Sequence, residues 1–572
     1  MSQQSSQSNL KIAVGTRLAA TGSVLAELIA ETSTLSTTGN LSLEISGIAG
    51  DSRSVTPGDV FVACPGRHTD GRQYIDQAVA AGAAAVVCEP PEPTSLAVPL
   101  IVVPDARRAV AELSAAWYGH PSRHVGIVGV TGTDGKTTTT HLVDAILNAA
   151  GIRSGLISTV AMSSGGPAER NRTAQTTPEA PVIQRLLAQM RARGVKVAAL
   201  EVSSHALETG RVLGCTFDCA VFTNLDPEHL DFHGTLVNYR AAKAKLFAQL
   251  DRGPAKPWGR LAVVNRDDPH SAAMRSACST PCVEFGMSSE AAVHAQILRS
   301  ALTSTTFRLH TPEGDATVET RLAGRHNVLN WLGAIAAARH FGATLDDVCR
   351  AAQEFGGVPG RLEAVSRGQR FQVFVDFAHT PQALATTAEL LRRHTTGRLI
   401  VLFGQAGHRD LRNRGRMARA VAERADLAIV TSDDPYDEDP QLIVDELART
   451  LRQCGWQEQR QFWRIVDRPA AIEFAIALAR PGDCVLLAGR GPEDETTIGG
   501  EKVHLDDAEV ARAALSRPAA AIRHPLSLLN SFPQPRPLRP ADRPAGDDLV
   551  ANVADDRLPG SDRALRLCEP NV

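Results

Sequence analysis

The chain has 572 residues, of which 43% are apolar, and its 60 Lys and Arg nearly balance its 63 Asp and Glu. This length predicts three or four domains, and the charge balance excludes a nucleic-acid affinity that depends on bulk positive charge. No apolar run is long enough to span a bilayer, and the Ser/Gln-rich first residues lack the pattern of a signal peptide. We therefore expect a cytoplasmic protein without a membrane span. Ten cysteines in a chain of this length predict no disulfide framework.

Short Val/Ile/Leu runs alternate along the chain with Ala/Leu/Arg stretches of helical period. This alternation predicts an α/β fold whose strands are apolar on both faces. The predicted strands cover 125–130, 197–202, 219–222, 261–264, 373–375, 399–403, 427–430 and 484–487. Most are followed directly by a polar or Gly-rich cluster, and ligands bind at the carboxyl ends of strands in open α/β sheets. These clusters are therefore the candidate functional sites.

Composition divides the chain into three blocks and a tail. We predict domains at 11–121, 122–356 and 357–516, and the Gly/Pro-rich stretch Gly356–Gly360 marks the second boundary. Apolar periodicity stops after residue 516, and nine of the 33 prolines lie between Pro518 and Val572. This composition predicts that 517–572 is a disordered tail.

A glycine-rich loop between a predicted strand and a predicted helix carries the strongest functional signal. From Gly129 to Thr138 it reads GVTGTDGKTT. The backbone N–H groups of such a loop, with the positive end of the helix dipole, bind phosphate oxygens. Lys136 is expected to reach the outer phosphates, and the Thr137 hydroxyl to bind Mg²⁺. The spacing departs from the general pattern, since Gly129 stands one residue too early and Gly132 is an extra glycine. The loop alone does not distinguish ATP from GTP.

Two further strand ends carry acidic and imidazole side chains. Glu201 follows one strand, where a metal ion shared with Thr137 would compensate its burial, although a solvated acid is the alternative. The stretch 226–233 suits a metal or phosphate site, with a polar turn that opens a helix as the alternative. On the helix predicted downstream, Lys243 and Lys245 cannot face the same side. The helical pattern by itself predicts that both lysines are solvated.

The third block repeats this theme at four strand ends. Each of four strands is followed by a cluster of charged and polar residues: Asp376–Pro381, Gly404–Asp410, Thr431–Tyr436 and Gly489–Asp494. Cationic and anionic side chains alternate there, which suits a substrate with both carboxylate and ammonium groups, such as an amino acid. Ordinary polar loops are the alternative for each cluster. Convergence of all four on one sheet edge would favour a site.

These motifs, in this order along the chain, resemble those of the Mur ligases. The matching segments are Asp51–Ala63, Asp70–Arg72, Thr131–Thr137, Gln175–Pro178, Glu201–His205, Thr223–Asn224, His229–His233, Ala242–Lys243, Gly324–Asn330, Pro359–Glu363, Asp376–Pro381 and Gly499–Lys502. The resemblance implies a UDP-binding domain, a central P-loop ATPase domain and a Rossmann-like C-terminal domain for an amino acid. It also implies an ATP-dependent, monomeric ligase of peptidoglycan synthesis. Its reaction would add diaminopimelate, L-lysine or L-ornithine to UDP-N-acetylmuramoyl-L-alanyl-D-glutamate through an acyl phosphate.

The resemblance also implies roles for individual residues. Lys136, His229 and Lys243 would be catalytic, and Mg²⁺ would be held by Thr137, Glu201, His229 and Lys243. In this role Lys243 carries CO₂ as a carbamate, which reverses its interpretation as a solvated cation. ATP would contact Gly132, Thr133, Asp134, Gly135, Lys136, Thr137, Thr138, Asn327, Asn330, Arg361 and Asp376. The UDP-muramoyl-dipeptide would contact Ser52, Arg67, His68, Thr69, Gln175, Thr176, Thr177, Ser203, Thr209 and Arg211. The amino acid would contact Arg409, Asp433, Asp434, Pro435, Tyr436, Gly489 and Glu493.

The amino-acid loops depart from the family pattern. Diaminopimelate-adding members carry Asp-Asn-Pro-Arg, whose Arg grips the distal carboxylate, where this chain has Asp-Asp-Pro-Tyr at 433–436. A Tyr cannot form the bidentate pair that Arg forms with a carboxylate, so lysine or ornithine becomes a candidate. If diaminopimelate is the substrate, another cation must serve, with Arg409 and Arg490 as candidates. His408 and Pro492 also differ from the commonest family residues.

Two alternatives to an active ligase of this specificity remain open. One is a catalytically inactive or differently specific Mur ligase paralogue, against which the intact Lys136, Glu201, His229 and Lys243 argue. The other is a P-loop nucleotide switch with a partner-binding tail. ATP turnover that requires both the muramoyl-dipeptide and an amino acid would exclude the switch.

Overall fold

The computed structural model describes residues 24–66, 69–173, 175–498 and 501–517. Within these residues helices and strands alternate, and the predicted α/β fold is confirmed. Every predicted strand is present, with its ends within one residue of the prediction. The predictions for Arg67, His68, the Gly499–Gly500 pair and the tail beyond Arg517 lie outside the described residues. Each described helix falls short of the length and apolar character needed to cross a lipid bilayer.

The first sheet comes from the N-terminal part of the chain, in the strand order β1-β5-β4-β3-β2. All neighbours run parallel except the antiparallel pair β1 and β5. Val, Ile and Ala side chains are buried on both faces because helices cover the sheet. The elements are α1 (Leu25–Ile29), β1 (Ser36–Thr38), β2 (Gly47–Ala49), β3 (Asp59–Ala63), α2 (Ile75–Ala80), β4 (Ala85–Cys88), β5 (Leu100–Val102) and α3 (Ala106–Trp117).

The central sheet has the order β16-β15-β14-β13-β12-β11-β6-β10-β7-β8-β9. Strands β6, β7 and β10 to β14 are parallel, and antiparallel strands flank them on both edges. Its elements are β6 (Gly126–Thr131), α4 (Lys136–Ala149), β7 (Ser154–Ile157), β8 (Ala161–Ser163), β9 (Glu169–Arg170), α5 (Ala180–Ala192), β10 (Val197–Glu201), α6 (Ser204–Glu208), β11 (Cys219–Phe222), α7 (Leu230–His233), α8 (Leu236–Leu250), β12 (Leu261–Asn265), α9 (Ser271–Arg275), β13 (Cys282–Gly286), β14 (Val293–Ala301), β15 (Ser304–Thr311), β16 (Gly314–Thr320), α10 (Arg325–His340) and α11 (Leu345–Glu354). Helices α4, α10 and α11 pack on one face, and α5 and α8 pack on the other.

The third sheet has the order β17-β18-β22-β19-β20-β21, parallel except for β17. Its elements are β17 (Glu363–Ala364), β18 (Gln372–Asp376), α12 (Pro381–His394), β19 (Leu399–Phe403), α13 (Arg412–Ala422), β20 (Leu427–Val430), α14 (Pro440–Gln453), β21 (Phe462–Arg464), α15 (Arg468–Leu478), β22 (Cys484–Ala488), the hairpin β23 (Glu495–Ile498) and β24 (Glu501–His504), and α16 (Asp507–Leu515). Strands β18, β22, β19 and β20 are consecutive neighbours, so the four polar clusters of the third block meet at one sheet edge. The expected convergence is therefore confirmed.

Candidate active site

The glycine-rich loop joins β6 to α4 and presents its backbone at the N-terminus of that helix. Gly135 has a φ of +81°, and a side chain there would collide with Asn330, so only glycine fits. The Thr133 N–H donates to the carbonyl of Asn224 at 2.9 Å, which ties the loop to the end of β11. Lys136 Nζ donates to the Thr133 carbonyl at 2.7 Å. The loop is therefore preformed as an anion site, with its lysine held over it.

Glu201 and Thr137 come together where β10 ends beside the loop. The Thr137 hydroxyl donates to Glu201 Oε1 at 3.0 Å, and Thr159 donates to Oε2 through its N–H at 2.8 Å and its hydroxyl at 2.9 Å. Glu201 is only 1% exposed, so the alternative of a solvated strand-end acid is wrong. Arg361, from the segment that leads into the third sheet, donates to the Thr137 hydroxyl at 3.0 Å.

This donor set fits a hard divalent cation. A carboxylate and a hydroxyl are oxygen ligands of the kind that Mg²⁺ prefers, and Mg²⁺ usually completes its shell with water and phosphate oxygens. Among the described residues, no three His, Cys, Asp or Glu side chains form a group that could hold a metal by themselves. A cation bound by Glu201 and Thr137 would therefore depend on ligands from substrate and from residues of other types.

Three histidines lie together in the segments that follow β10 and β11. The His205 ring lies 4.6 Å from the His229 ring and 5.6 Å from the His233 ring, centroid to centroid. Burial lowers the pKa of His229 to about 4 and that of His205 to about 3. Both rings are therefore neutral at pH 7 and have a lone pair available for a metal or a proton.

Glu228 connects this cluster to the third sheet. Its Oε1 lies 3.6 Å from His229 Nε2 and 3.4 Å from Nε2 of His379, which follows β18. Burial by itself would raise the pKa of Glu228, but His379, His229 and Lys136 outweigh burial and hold it well below its usual range. For His379, the hydrogen bond to Glu228 likewise outweighs burial and raises the pKa. The two residues therefore form an ion pair between the two sheet edges.

Lys243 lies on the buried face of α8. It is 1% exposed, its Nζ donates to the Gly132 carbonyl at 2.6 Å, and it lies 4.3 Å from the centre of the Tyr239 ring. Burial, with the nearby charge of Lys136, lowers the pKa of this amine well below its usual value. The prediction from helical pattern alone, that Lys243 is solvated, is wrong because α8 turns this position toward the loop. Lys245 is exposed and pairs with Glu208 at 2.7 Å, as predicted for a surface lysine.

The residues predicted to contact ATP lie on both sides of the loop. Asn330 Nδ2 donates to Asn327 Oδ1 at 3.1 Å, and its Oδ1 accepts from the Thr139 hydroxyl at 3.4 Å, so α10 faces the start of α4. The Arg361 guanidinium stacks over the Phe377 ring at 4.3 Å. Asp376 accepts from the Leu362 N–H at 2.7 Å at the end of β18. Asp134 belongs to the loop, and Thr138 lies in the first turn of α4.

The predicted muramoyl-dipeptide residues of the central block form a connected cluster beyond Glu201. The Thr177 hydroxyl donates to the Glu201 carbonyl at 2.8 Å and accepts from the Ser203 N–H at 3.0 Å. Arg211 donates to the Thr177 carbonyl at 3.0 Å. The Thr209 hydroxyl donates to the carbonyl of His205, and Gln175 Nε2 donates to Oε1 of Glu179 at 3.0 Å. Thr176 lies between Gln175 and Thr177 in the chain. These contacts place the cluster directly against the site of Glu201.

Ser52 and Thr69, predicted to contact UDP, lie with the first sheet. The Ser52 hydroxyl donates to Gln77 Oε1 at 3.1 Å. No contact among the described residues joins Ser52 to the central cluster. Their predicted neighbours Arg67 and His68 are outside the described part of the chain. A bound nucleotide diphosphate would therefore have to bridge the two regions.

The predicted amino-acid loops bring acids together at the edge of the third sheet. Asp433 is buried, and its Oδ1 lies 3.7 Å from Arg490 NH1. A side chain at Gly489 would crowd the Asp433 carboxylate, so that close approach requires glycine. Burial raises the pKa of Glu493 to about 7, and the Asp433 carboxylate adds to this rise. The group is poised to exchange charge near neutral pH.

Arg490 is fully buried and holds the backbone of this edge. Its NH2 donates to the Glu495 carbonyl at 2.7 Å, and its NH1 donates to the Asp433 carbonyl at 3.4 Å. This engagement makes Arg490 a structural residue, and leaves Arg409 as the remaining alternative cation for a distal carboxylate. Arg409 is exposed, and its charge adds to the effect of burial in lowering the pKa of His229. The Arg409 charge therefore lies close enough to His229 to affect it.

Tyr436 stands at the mouth of these loops. It has a φ of +54°, is 37% exposed, and its ring lies 6.1 Å from that of His408. The neighbouring Asp434 accepts from the Thr497 N–H at 2.7 Å, so its carboxylate is partly occupied by β23, and Pro435 lies between the two. A phenol, and not a guanidinium, is thus the group that the chain presents here.

Sequence reasoning missed several residues that connect the elements. Glu228, His379 and Arg170 make contacts between the central and third sheets, but each lies in a segment whose pattern gives no spacing signal for such a pair. Only Glu228 and His379 lay inside motifs that were singled out. The sequence did show polar residues at the strand ends. It did not show which residue on the other sheet each of them contacts.

Family comparisons find the same organisation. Three family models match this chain, described as "Mur ligase family, catalytic domain" over residues 44–118, "Mur ligase middle domain" over 130–338 and "Mur ligase, glutamate ligase domain" over 360–491. A protein of Geobacillus kaustophilus named UDP-N-acetylmuramoyl-L-alanyl-D-glutamate–2,6-diaminopimelate ligase is 43% identical over 81% of this chain and 94% of its own length.

Two further comparisons agree with that match. A Roseiflexus protein named UDP-N-acetylmuramyl-tripeptide synthetase is 44% identical over 83% of this chain and 95% of its own. A solved structure titled as a UDP-N-acetylmuramoyl-L-alanyl-D-glutamate–2,6-diaminopimelate ligase superposes with a TM-score of 0.60 at 30% identity. That superposition covers 86% of this chain and 99% of the other. Similarity therefore extends through all three sheets.

Proposed function

The chain belongs to the Mur ligase family, an ATP-dependent, amide-forming family, and we propose that it adds the third amino acid to UDP-N-acetylmuramoyl-L-alanyl-D-glutamate. One observation carries this proposal. The phosphate-binding loop and the loops rich in Asp and Glu lie at two sheet edges that touch through Arg361 and Thr137 and through His379 and Glu228. A site that joins a phosphorylated acid to an amine needs this juxtaposition.

The reaction that we propose has two steps. The glutamyl carboxylate of the dipeptide attacks the γ-phosphorus of ATP, ADP leaves, and an acyl phosphate forms. The amino group of the incoming amino acid then attacks the acyl carbon, phosphate leaves, and the amine gives up its proton. Lys136 and the loop amides stabilise negative charge on the phosphate oxygens during the first step. Asn327, Asn330, Arg361 and Asp376 would hold the remainder of ATP.

We assign the magnesium site to Thr137, Glu201, His229 and Lys243 as a carbamate. When bound, Mg²⁺ neutralises the charge of phosphate oxygens. The neutral amine that burial favours at Lys243 is the form that attacks CO₂, which makes a new N–C bond and releases one proton to water. This converts a neutral amine into an anion beside the loop. The Lys243 contact with Gly132 keeps the nitrogen within the site before modification.

We assign the UDP-muramoyl-dipeptide to the first and central domains, at 11–121 and 122–356. Thr176, Thr177, Ser203 and Arg211 would bind its peptide part, because they surround the carbonyl end of Glu201. Ser52 and Thr69 would contact UDP together with Arg67 and His68. The domain at 357–516 would bind the amino acid.

Within that third domain we assign Asp433 and Glu493 to the ammonium groups of the amino acid. The opposite charge of the two acids favours an ammonium, and Glu493 can take a proton near neutral pH because its pKa is about 7. Arg409 would pair with a carboxylate of the substrate, which is the distal carboxylate if diaminopimelate is the substrate. Because Gly489 has no side chain, the Asp433 carboxylate can lie close to the backbone at that position.

The third amino acid that we propose is diaminopimelate, the one in the names of most of the relatives compared. Tyr436 favours a second candidate, a diamino acid without the distal carboxylate such as lysine or ornithine. Diaminopimelate needs a cation near Tyr436 to pair with its distal carboxylate, whereas lysine and ornithine do not.

Phosphate release distinguishes these proposals. The full chain is given the UDP-muramoyl-dipeptide, ATP and Mg²⁺, with diaminopimelate, lysine or ornithine added in turn. Release that requires both substrates supports the ligase, and the most active amino acid names the acceptor. A Tyr436→Arg variant should shift the kcat/KM ratio toward diaminopimelate by about tenfold, because Arg adds a bidentate carboxylate partner. Absence of release with every amino acid in well-folded protein would favour the inactive paralogue.

A further inference from the structure

The hairpin of β8 and β9 reaches from the central sheet to the amino-acid loop of the third sheet. Arg170, at the end of β9, places its NH1 2.8 Å from Asp494 Oδ2, and its NH2 donates to the Pro492 carbonyl. A second carboxylate, Asp506, lies 3.9 Å from the same NH1. One guanidinium therefore holds two groups of a single loop, as its planar fork allows.

These two groups flank Glu493 on either side. Pro492 precedes it and Asp494 follows it, so contacts that fix these two neighbours also restrict the position of Glu493. Within the loop, the Glu493 N–H donates to the Arg490 carbonyl at 3.1 Å. The loop that carries Glu493 is therefore held by two arginines. Arg490 belongs to the loop itself, and Arg170 comes from the central sheet.

The other side of the hairpin is tied to the acceptor region. Asn171, the next residue, donates through Nδ2 to the carbonyl of Ser158 at 2.8 Å and to that of Gln175 at 2.9 Å. Ser158 leads into Thr159, which binds Glu201, and Gln175 leads into Thr177, which also binds Glu201. Arg170 and Asn171 thus join the amino-acid loop to the segments around the phosphorylated carboxylate.

We propose that Arg170 is a positioning residue that sets the register between the amine held by Glu493 and the activated carboxyl group. This inference rests on the proposed ligase function and assigns a role to a residue that no motif marked. Misplacement of reacting groups by about 1 Å can cost about 100-fold in rate. Arg170 and Asp494 are each 36% exposed, so their pair adds little to folding stability while it directs the loop.

Steady-state kinetics on the full chain, with the amino acid that the wild type uses, tests this role. We expect Arg170→Ala to lower kcat/KM for the amino acid about tenfold or more, with KM for ATP and for the UDP-muramoyl-dipeptide within about twofold of wild type. Arg170→Lys should retain intermediate activity, since it keeps the charge but not both contacts. Asp494→Ala should show a smaller loss than Arg170→Ala, because the Pro492 contact remains.

The double variant gives the sharpest discrimination. Arg170→Ala with Asp494→Ala should match Arg170→Ala alone, because the Asp494 side chain acts on the loop only through Arg170. Arg172→Ala is the matched control, since this exposed arginine lies two residues after the end of β9 and forms no hydrogen bond or ion pair among the described residues. Its charge is only the smallest contribution to lowering the pKa of Glu495. This control should leave all constants unchanged.

Three results would overturn the inference. They are Arg170→Ala kinetics within twofold of wild type, additive losses in the double variant, and an equal KM increase for all three substrates. A wild type that turns over no amino acid would instead overturn the proposed function, so the two failures are distinguishable. Thermal unfolding midpoints equal to wild type would show that each variant is folded.

Discussion

The two sheet edges at the candidate site hold their polar groups in different ways. At the central edge, the loop from Gly132 to Thr138 is fixed by its own backbone and by adjacent strand ends, as the Thr133 to Asn224 bond shows. At the edge of the third sheet, the loop that carries Glu493 depends on Arg490 from inside and on Arg170 from the other sheet. The first edge is therefore fixed mainly by residues of the central sheet, whereas the second also depends on a contact from that other sheet.

The two sheet edges differ because phosphate transfer and amine delivery make different demands on the residues around them. Phosphate transfer needs donors that are fixed before the substrate arrives, because electrostatic stabilisation is largest when no reorganisation is required. Delivery of an amine to the acyl carbon depends on the register between the two sheet edges. Changes at the central edge should therefore remove activity altogether, and changes at the third edge should alter amino-acid kinetics selectively.

Lys136→Ala should have the largest effect. Removal of the loop cation leaves the developing charge on the phosphate oxygens uncompensated, and we expect kcat to fall about 1000-fold. Phosphate release in the presence of both substrates measures this loss. An unchanged thermal midpoint serves as the control, and a loss below tenfold would contradict the proposed role of the loop.

Lys243→Arg should reduce kcat by about 100-fold, because an arginine keeps the positive charge but cannot form the carbamate. A ¹³C NMR carbamate signal from protein equilibrated with ¹³CO₂ should be present in the wild type and absent in the variant. Full activity of the variant, or no such signal in the wild type, would rule out the modification.

Glu493→Gln should raise the amino-acid KM about tenfold while KM for ATP stays constant, since an amide cannot pair with an ammonium as a carboxylate does. Because the pKa of Glu493 is about 7, its carboxylate is charged above that pH and neutral below it. In the wild type, kcat/KM for the amino acid should therefore rise as pH increases through about 7. The variant should lose this inflection, and persistence of the same inflection would assign it to another group.

Lys245→Ala should have the smallest effect, with kcat within about twofold of wild type and unfolding free energy reduced by less than about 1 kcal/mol. Its pair with Glu208 is half exposed and lies on the outer side of α8. Assayed beside Lys243→Arg, it controls for charge changes on the same helix. A large loss of kcat in Lys245→Ala would mean that any substitution on α8 impairs the enzyme. The loss in Lys243→Arg could then not be attributed to the missing carbamate.

Much of the fold followed from the sequence because buried parallel strands are nearly continuous apolar runs. The runs at Cys219–Phe222, Leu399–Phe403 and Leu427–Val430 match the strands residue for residue. The strand–loop–helix pattern also located the anion site, since glycine spacing and helix start are local properties. The position of Lys243 was not local. Lys243 and Lys245 lie on different faces of α8, and the helical period alone does not say which of these faces packs against the core.

The α/β class, the strand ends and the polar clusters that follow them could be predicted, because each depends on residues close together in the chain. The burial of Lys243 against Gly132, the bonds of Arg490 to backbone carbonyls and the contact of Arg170 between two sheets became visible only in the folded chain. The partners lie 111 residues apart for Lys243 and Gly132, 57 for Arg490 and Asp433, and 322 for Arg170 and Pro492. A contact of that kind is chosen by packing of whole elements, since strand order and helix rotation set which side chains can meet.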